Sequence, residues 1–140
     1  GIVHGDYSLT NVMIGKDEPN VIAILDWELS TLGDPCADFN YHCLQYTMNP
    51  KLADKEFCRN QGIPVIDDYV KMYSERINID LSEEWDLYSA YNLFKLAGIL
   101  QGILGRVRDG TAAHENAAER ASGVRNLSDT AWNLVKENFL

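Results

Sequence analysis

The side chains in this sequence best equipped for chemistry stand near its start. They are His4-Gly5-Asp6, Asn11, and Asp26-Trp27-Glu28. Asp6 and Asn11 are five residues apart in a polar loop, Asp6-Tyr7-Ser8-Leu9-Thr10-Asn11. Asp26 follows directly on the apolar run Ile22-Ala23-Ile24-Leu25. If a hairpin joins the segments on either side of residue 15, Asn11 and Asp26 become neighbours. An amide oxygen beside a carboxylate suits Mg²⁺, which takes oxygen ligands and keeps water and phosphate oxygens for its other positions. Asp6, in the same loop, would accept a hydrogen bond from a hydroxyl and orient it for attack. Phosphoryl transfer needs this division of labour, with a metal to neutralise charge and a separate Asp to position the nucleophile. The competing reading is turn formation and capping, for which Asp and Asn are also favoured. The joint spacing favours the chemical reading.

The elements that must position these groups are short. Residues 12–14 and 21–25 read as strands, and Gly15-Lys16-Asp17-Glu18-Pro19-Asn20 carries turn chemistry between them. The strand that ends in Asp26 is expected to be buried. Everything after residue 33 reads as helix. Asp34-Pro35 has the form of an N-cap followed by Pro at the first helical position, for a helix to Met48. Asn49-Pro50 repeats the signal for a helix to Gln61, stopped by Gly62. Further helices are expected over 64–78, from Ser82 to Arg108, and over 115–138. The apolar residues of 82–108 cover more than one face, which predicts a central, buried helix. Gly98 and Gly102 would let it pack closely on a neighbour. The fold class is therefore mainly α with a small β-hairpin. Strands and helices do not alternate, so a Rossmann-type sheet is excluded. The sequence contains neither GxGxxG nor GxxxxGK[ST].

Composition fits one soluble domain. The chain has 140 residues, 46% of them hydrophobic and 24% charged. Asp and Glu number 21 against 12 Lys and Arg, for a net charge of −9. That balance argues against partnership with nucleic acid or an anionic membrane. Asp86, Asn92, Lys95 and Gln101 interrupt the long apolar helix, so it does not read as a membrane span. Cys36, Cys43 and Cys58 are odd in number and form no CxxC pair, which fits neither a disulfide framework nor a zinc site. A reducing cytoplasm is the expected setting. The opening Gly1-Ile2-Val3 has no Met or polar lead-in, and reads as a chain cut upstream.

The spacing His-x-Asp-x4-Asn, followed by an apolar strand ending in Asp, is the second half of the kinase catalytic signature. The run from His4 to Asn11, with Leu25-Asp-Trp-Glu-Leu-Ser-Thr-Leu-Gly-Asp-Pro35 and then Asp38, resembles the aminoglycoside phosphotransferase and choline kinase-like family of small-molecule kinases. It is most similar to bacterial stand-alone members and to the kinase-like domain fused to some animal acyl-CoA dehydrogenases. The resemblance covers residues 2–40; beyond them only the order of helices matches. It implies the C-terminal, large lobe of the protein kinase-like fold with the N-terminal lobe absent. Residues 1–34 would form the catalytic loop, hairpin and metal loop, and 35–140 a helical subdomain. It implies Asp6 as the catalytic Asp and Asn11 and Asp26 as Mg²⁺ ligands. Glu28, two residues on in extended chain, would be a further ligand. His4 and Asp34 would support the site, and Asp38 would lie with Asp34 at the start of the following helix. ATP is implied as co-substrate and a small-molecule hydroxyl as acceptor. The missing lobe, with its nucleotide-binding residues, is the implied partner within the same protein, and the bared face would favour self-association.

Other groups carry plainer alternatives. Asp34 reads as an N-cap, and Glu28 equally as an exposed acid. His42 and His114 carry no chemistry of their own. Trp27, Trp85 and Trp132 suit packing. Arg106 and Arg108 suit a helix C-terminus better than a phosphate site. The alternative to an enzyme is a kinase-like binding or regulatory module without turnover.

Overall fold

The computed structural model describes residues 1–111, 117–120 and 122–140. The chain forms two units, Gly1–Glu83 and Glu84–Leu140.

The first unit begins with two small antiparallel ladders. Strand β2 (Val12–Ile14) pairs with β3 (Val21–Ile24), Val12 opposite Ile24, which is the expected hairpin. Its loop closes through Gly15 N–H donating to Asn20 O at 2.8 Å. The second ladder was not expected from the sequence. Strand β1 (Ile2–Val3) pairs with β4 (Thr31–Leu32), and Gly33 N–H donates to Gly1 O at 2.9 Å. Two-residue strands leave no periodic pattern to read. This one closes the loop region on itself, because the segment after Asp26 returns to lie beside the segment before His4. The expectation of a buried strand before Asp26 is corrected. Met13, Ile14, Val21 and Ile22 are exposed, Ile22 at 62%.

Helix α1 (Pro35–Met48) starts as expected, with the Asp34 carboxylate accepting from Cys36 N–H at 2.9 Å. Cys36, Phe39, Asn40, Cys43 and Leu44 are its buried residues. The helix expected over 50–61 is broken into α2 (Pro50–Ala53) and α3 (Lys55–Asn60). Asp54 breaks it by capping the second piece, accepting from Glu56 and Phe57 N–H at 2.9 and 3.2 Å. Helix α4 (Ile66–Ile77) follows and ends at Asn78 in left-handed conformation. Phe39 of α1 stacks on Tyr73 of α4 at 3.8 Å between ring centres.

In the second unit, α5 (Trp85–Arg108) runs against α7 (Val124–Phe139), with the short α6 (Ala117–Arg120) between them in sequence. Ser82 is not the cap of α5. Its N–H donates to Asp80 Oδ1 at 2.9 Å in a preceding turn, and the helix starts three residues later. Nor is α5 buried all round. Ala90, Leu93 and Ala97 are buried, but Tyr91 and Phe94 are 58% and 70% exposed. Gly98 faces open space, and Gly102 meets only an arginine tip of its own helix, so close packing does not account for them. With Leu87, Trp132 and Val135, Tyr91 and Phe94 line an apolar groove of about 320 Å³. The helix expected over 115–138 is interrupted at Ser122-Gly123; His114 lies outside the described residues. No described helix is long and apolar enough to cross a membrane. Cys36, Cys43 and Cys58 are buried and in no disulfide, and burial pushes the Cys43 thiol up to about 12.

Gly5 is the tightest point of the first unit. Its φ is +86°, and a Cβ there would sit 2.6 Å from the backbone oxygen of Leu29. Both the conformation and the contact exclude a side chain. Gly5→Ala is expected to lower unfolding stability by about 2 kcal/mol or more, read from urea denaturation. A variant as stable as the parent would show that the loop and the Leu29 segment are not so closely apposed.

Candidate active site

The loop from His4 to Asn11 is held at its start by helix α1. Asp38, in the first turn of that helix, accepts backbone N–H groups from both His4 and Gly5, the second at 2.9 Å. Successive N–H groups converge on one carboxylate because Gly5 turns the chain with a positive φ. His4 is 97% buried, being 3% exposed, and uses both ring nitrogens. Nδ1 accepts from Asp6 N–H at 3.2 Å, so Nε2 carries the proton and donates to Leu25 O at 2.8 Å. The ring thus ties the loop to the end of β3. It also packs against Trp27, 4.7 Å between ring centres, whose Nε1 donates to Ile24 O at 2.8 Å.

Asp6 and Asn11 meet directly. Asn11 Nδ2 donates to Asp6 O at 2.9 Å and to Asp6 Oδ2 at 3.2 Å. That assignment leaves Asn11 Oδ1 as the free acceptor. On its backbone side, Asn11 O accepts from Leu25 N–H at 2.8 Å, which extends the β2–β3 ladder by one rung. Asp26 is the next residue. It adopts a left-handed conformation, φ 66° and ψ 54°, and turns the chain out of β3 into a 3-10 turn, Trp27–Leu29. Its carboxylate makes no capping bond to that turn. For an L-residue this conformation costs about 1–2 kcal/mol, and Asp and Asn tolerate it best. The hairpin therefore sets Asn11 opposite Leu25, the residue before Asp26, and the Asn11 side chain reaches Asp6.

The expectation for Glu28 rests on extended residues two apart sharing a side. Residues 27–29 form a 3-10 turn, so that alternation does not apply, and Glu28 is exposed. Among the described residues, no three His, Cys, Asp or Glu side chains gather as a metal set. Asn11 and Asp26 each carry an oxygen group of the kind Mg²⁺ takes. This ion is usually bound through one or two protein oxygens, with phosphates and water completing its shell. Asp34 caps α1. Arg108 pairs with Asp109 at 3.2 Å, with both side chains exposed.

Two site residues were not assigned from sequence. Asp38 was expected only at the helix start, yet it holds the loop backbone. Tyr41, one turn further along α1, has its pKa raised by burial and then by the charge of Asp6 and a hydrogen bond with it. Its spacing from Asp38 places both on one helix face, but nothing in the sequence says which loop that face meets. His42 sits beside Tyr7 and Tyr69, 5.6 and 5.9 Å between ring centres, and burial lowers its pKa.

Residues 1–91 match the phosphotransferase enzyme family. The chain is 36% identical over 144 residues to mouse acyl-CoA dehydrogenase family member 10, covering 99% of this chain and 14% of that protein. It is 33% identical to human acyl-CoA dehydrogenase family member 11, covering 99% and 18%. The crystal structure of a "putative aminoglycoside phosphotransferase" from Ralstonia eutropha JMP134 superposes with a TM-score of 0.88 at 40% identity. It matches 99% of this chain and 43% of its own. The chain thus spans less than a fifth of these dehydrogenase-named relatives.

The left-handed turn at Asp26 gives a test that does not depend on activity. Asp26→Ala is expected to be less stable than Asp26→Gly by about 1 kcal/mol, because only Gly takes that conformation without steric cost. Equilibrium unfolding of the two variants reads the difference. Equal stability, or the reverse order, would show that the backbone at residue 26 is not held left-handed.

Proposed function

The chain belongs to the phosphotransferase enzyme family, and from that premise we propose that it forms the metal- and acceptor-binding half of a small-molecule kinase. The enzyme moves the γ-phosphoryl group of ATP onto an alcohol. The observation that carries this reading is the double role of Asn11. Its side chain donates to Asp6, and its backbone joins the rung next to Asp26.

Asp6 accepts a hydrogen bond from the acceptor hydroxyl and aligns its oxygen with the γ-phosphorus. As the new oxygen–phosphorus bond forms, the hydroxyl proton passes to Asp6. The bond from phosphorus to the bridging oxygen breaks, and ADP departs with that electron pair. Asn11 Oδ1 and the Asp26 carboxylate would hold Mg²⁺, which supplies charge neutralisation on the phosphates when bound. Asn11 also keeps Asp6 in place through its amide nitrogen. His4, held at both ring nitrogens, serves as a strut rather than a base.

In this reading the half that covers the nucleotide lies outside these 140 residues. The match to only 43% of the solved phosphotransferase chain supports that. So do the exposed apolar side chains of β2 and β3, which offer a surface for it to cover. Left bare, that surface favours association between copies. The names of the relatives lean the acceptor toward a hydroxyacyl compound. Free, buried thiols suit a reducing compartment, and we assign the enzyme to the cytoplasm.

The test uses the full-length protein, with ATP, Mg²⁺ and a panel of hydroxylated metabolites. Asp6→Ala is expected to slow transfer roughly 10²–10⁴-fold. Asp26→Ala is expected to abolish Mg²⁺-dependent nucleotide binding in calorimetry. The 140 residues alone are expected to turn over no ATP. Full speed without Asp6, or robust turnover by the 140-residue piece, would overturn the reading.

A further inference from the structure

We propose that helix α5 carries a docking face for a second copy of this chain, the two helices packing antiparallel about a two-fold axis near Leu96. The proposal is independent of the catalytic reading. The face belongs to the second unit, whereas β2 and β3 belong to the first.

One side of α5 presents Leu87, Tyr91, Phe94, Gly98, Gly102 and Gly105. Steps of three and four residues keep all six on a single helix face. None of them is charged. Leu87, Tyr91 and Phe94 are exposed, and so is Trp132 of α7, which shares their groove. Gly98 and Gly102 are exposed as well. A Cβ at Gly98 or Gly105 would meet nothing within 4 Å, and one at Gly102 only the Arg106 tip at 3.9 Å. Solvent is a poor neighbour for such a face. Large apolar side chains stand in water, and glycine is the weakest helix former after proline. Among the described residues, nothing packs on this stripe to offset either cost.

The face is its own complement. Its bulky half runs from Leu87 to Phe94, and its bare half from Gly98 to Gly105. A second copy turned antiparallel sets Phe94 against Gly98, Tyr91 against Gly102 and Leu87 against Gly105. In each pair a large side chain of one copy covers open backbone of the other, and each contact occurs twice, as a two-fold interface requires. Parallel packing would instead oppose ring to ring and glycine to glycine. Charge favours the same direction. Asp86 lies in the first turn of α5, and Arg106 and Arg108 lie in the last. Antiparallel packing lays the acidic end of one helix beside the basic end of its partner. Leu87, Tyr91, Phe94 and Trp132 are 48%, 58%, 70% and 56% exposed. With aromatic side chains of about 200 Å² each, these four supply roughly 400 Å² per copy. That is about half of the ~800 Å² a standard interface takes from each partner, before the glycine backbone is counted.

The experiment uses the full-length protein and reads contact rather than activity. Leu87→Cys and Gly105→Cys are made singly and together, then oxidised. Residues 87 and 105 stand about 27 Å apart along the helix, so only antiparallel copies bring them into reach. The double variant is expected to form a covalent dimer with residue 87 of one copy bonded to residue 105 of the other, identified by peptide mass. Neither single variant should link to itself. Adding Gly98→Leu enlarges the apolar surface but fills the space that Phe94 of the second copy needs. It is expected to cut the yield of linked dimer at least 10-fold while the unfolding midpoint holds or rises. No link in the double variant, equal linking in the single variants, or a link that Gly98→Leu leaves intact would overturn the proposal. Thiols at 87 and 105 that resist a maleimide yet form no link would mean that another segment of the same polypeptide covers the face, which would also overturn it.

Discussion

The Asp38 carboxylate, with the His4 and Gly5 N–H groups converging on it, is the contact from which the rest of the loop takes its position. Leaving a buried donor unpaired costs about 1–3 kcal/mol, so the loop cannot drift from the helix without a penalty of that order for each group. Asp38 also lies in the first turn of α1, where the helix dipole favours a negative charge. The Asp34 cap with Pro35 sets where that helix starts, and hence where Asp38 stands. The sequence from residue 34 to residue 38 is thus a mounting for the loop from residue 4 to residue 6, some thirty residues earlier in the chain.

His4 carries the constraint onward. With one nitrogen on Asp6 N–H and the other on Leu25 O, its ring measures a fixed distance between the loop and the end of β3. Burial makes both bonds count, because water cannot replace either one. Gly5 and Asp26 then make opposite adjustments to the same packing problem. Gly5 gives up its side chain so that Leu29 can approach, while Asp26 keeps its side chain and accepts a left-handed backbone. A Gly at 26 would meet the backbone requirement more easily. That an acid stands there is physical evidence that the carboxylate is wanted at that point.

What the sequence made legible follows from the range of each interaction. The hairpin, the Asp34 cap and the stop at Gly62 depend on neighbours within a few residues, and each could be read directly. That Asn11 lies opposite Leu25, the residue before Asp26, could be read because the hairpin loop fixes the register of its two strands. Where local signals competed, the reading went astray. Ser82 looked like a cap, but Asp80 is the acceptor at that turn. Asp54 capped a helix inside a stretch read as continuous. Glu28 was read in extended chain, whereas Trp27 turns the chain through its contacts with His4 and Ile24 O. β1 with β4, Asp38 with the loop, and Tyr41 with Asp6 all join residues about thirty apart. No period or spacing encodes such contacts.

A division of labour between rigid and adaptable parts follows from these contacts. Helix α1 supplies the side chains that hold the loop, and its buried residues Cys36, Phe39, Asn40, Cys43 and Leu44 anchor it in the first unit. A helix anchored along one face moves as a body, so Asp38 and Tyr41 keep their spacing even if the loop shifts. The loop and the turn at Asp26 instead carry the groups that would meet phosphate, metal and acceptor. Those groups are left partly exposed, with few packing contacts of their own. Carrying such groups on loop backbone that is fastened to a helix would let a substrate approach without loosening the geometry that receives it. The same logic explains why the sheet on the other side of the site is small and exposed. β2 and β3 need only set Asn11 opposite Leu25, the residue before Asp26, and a ladder this short suffices for that.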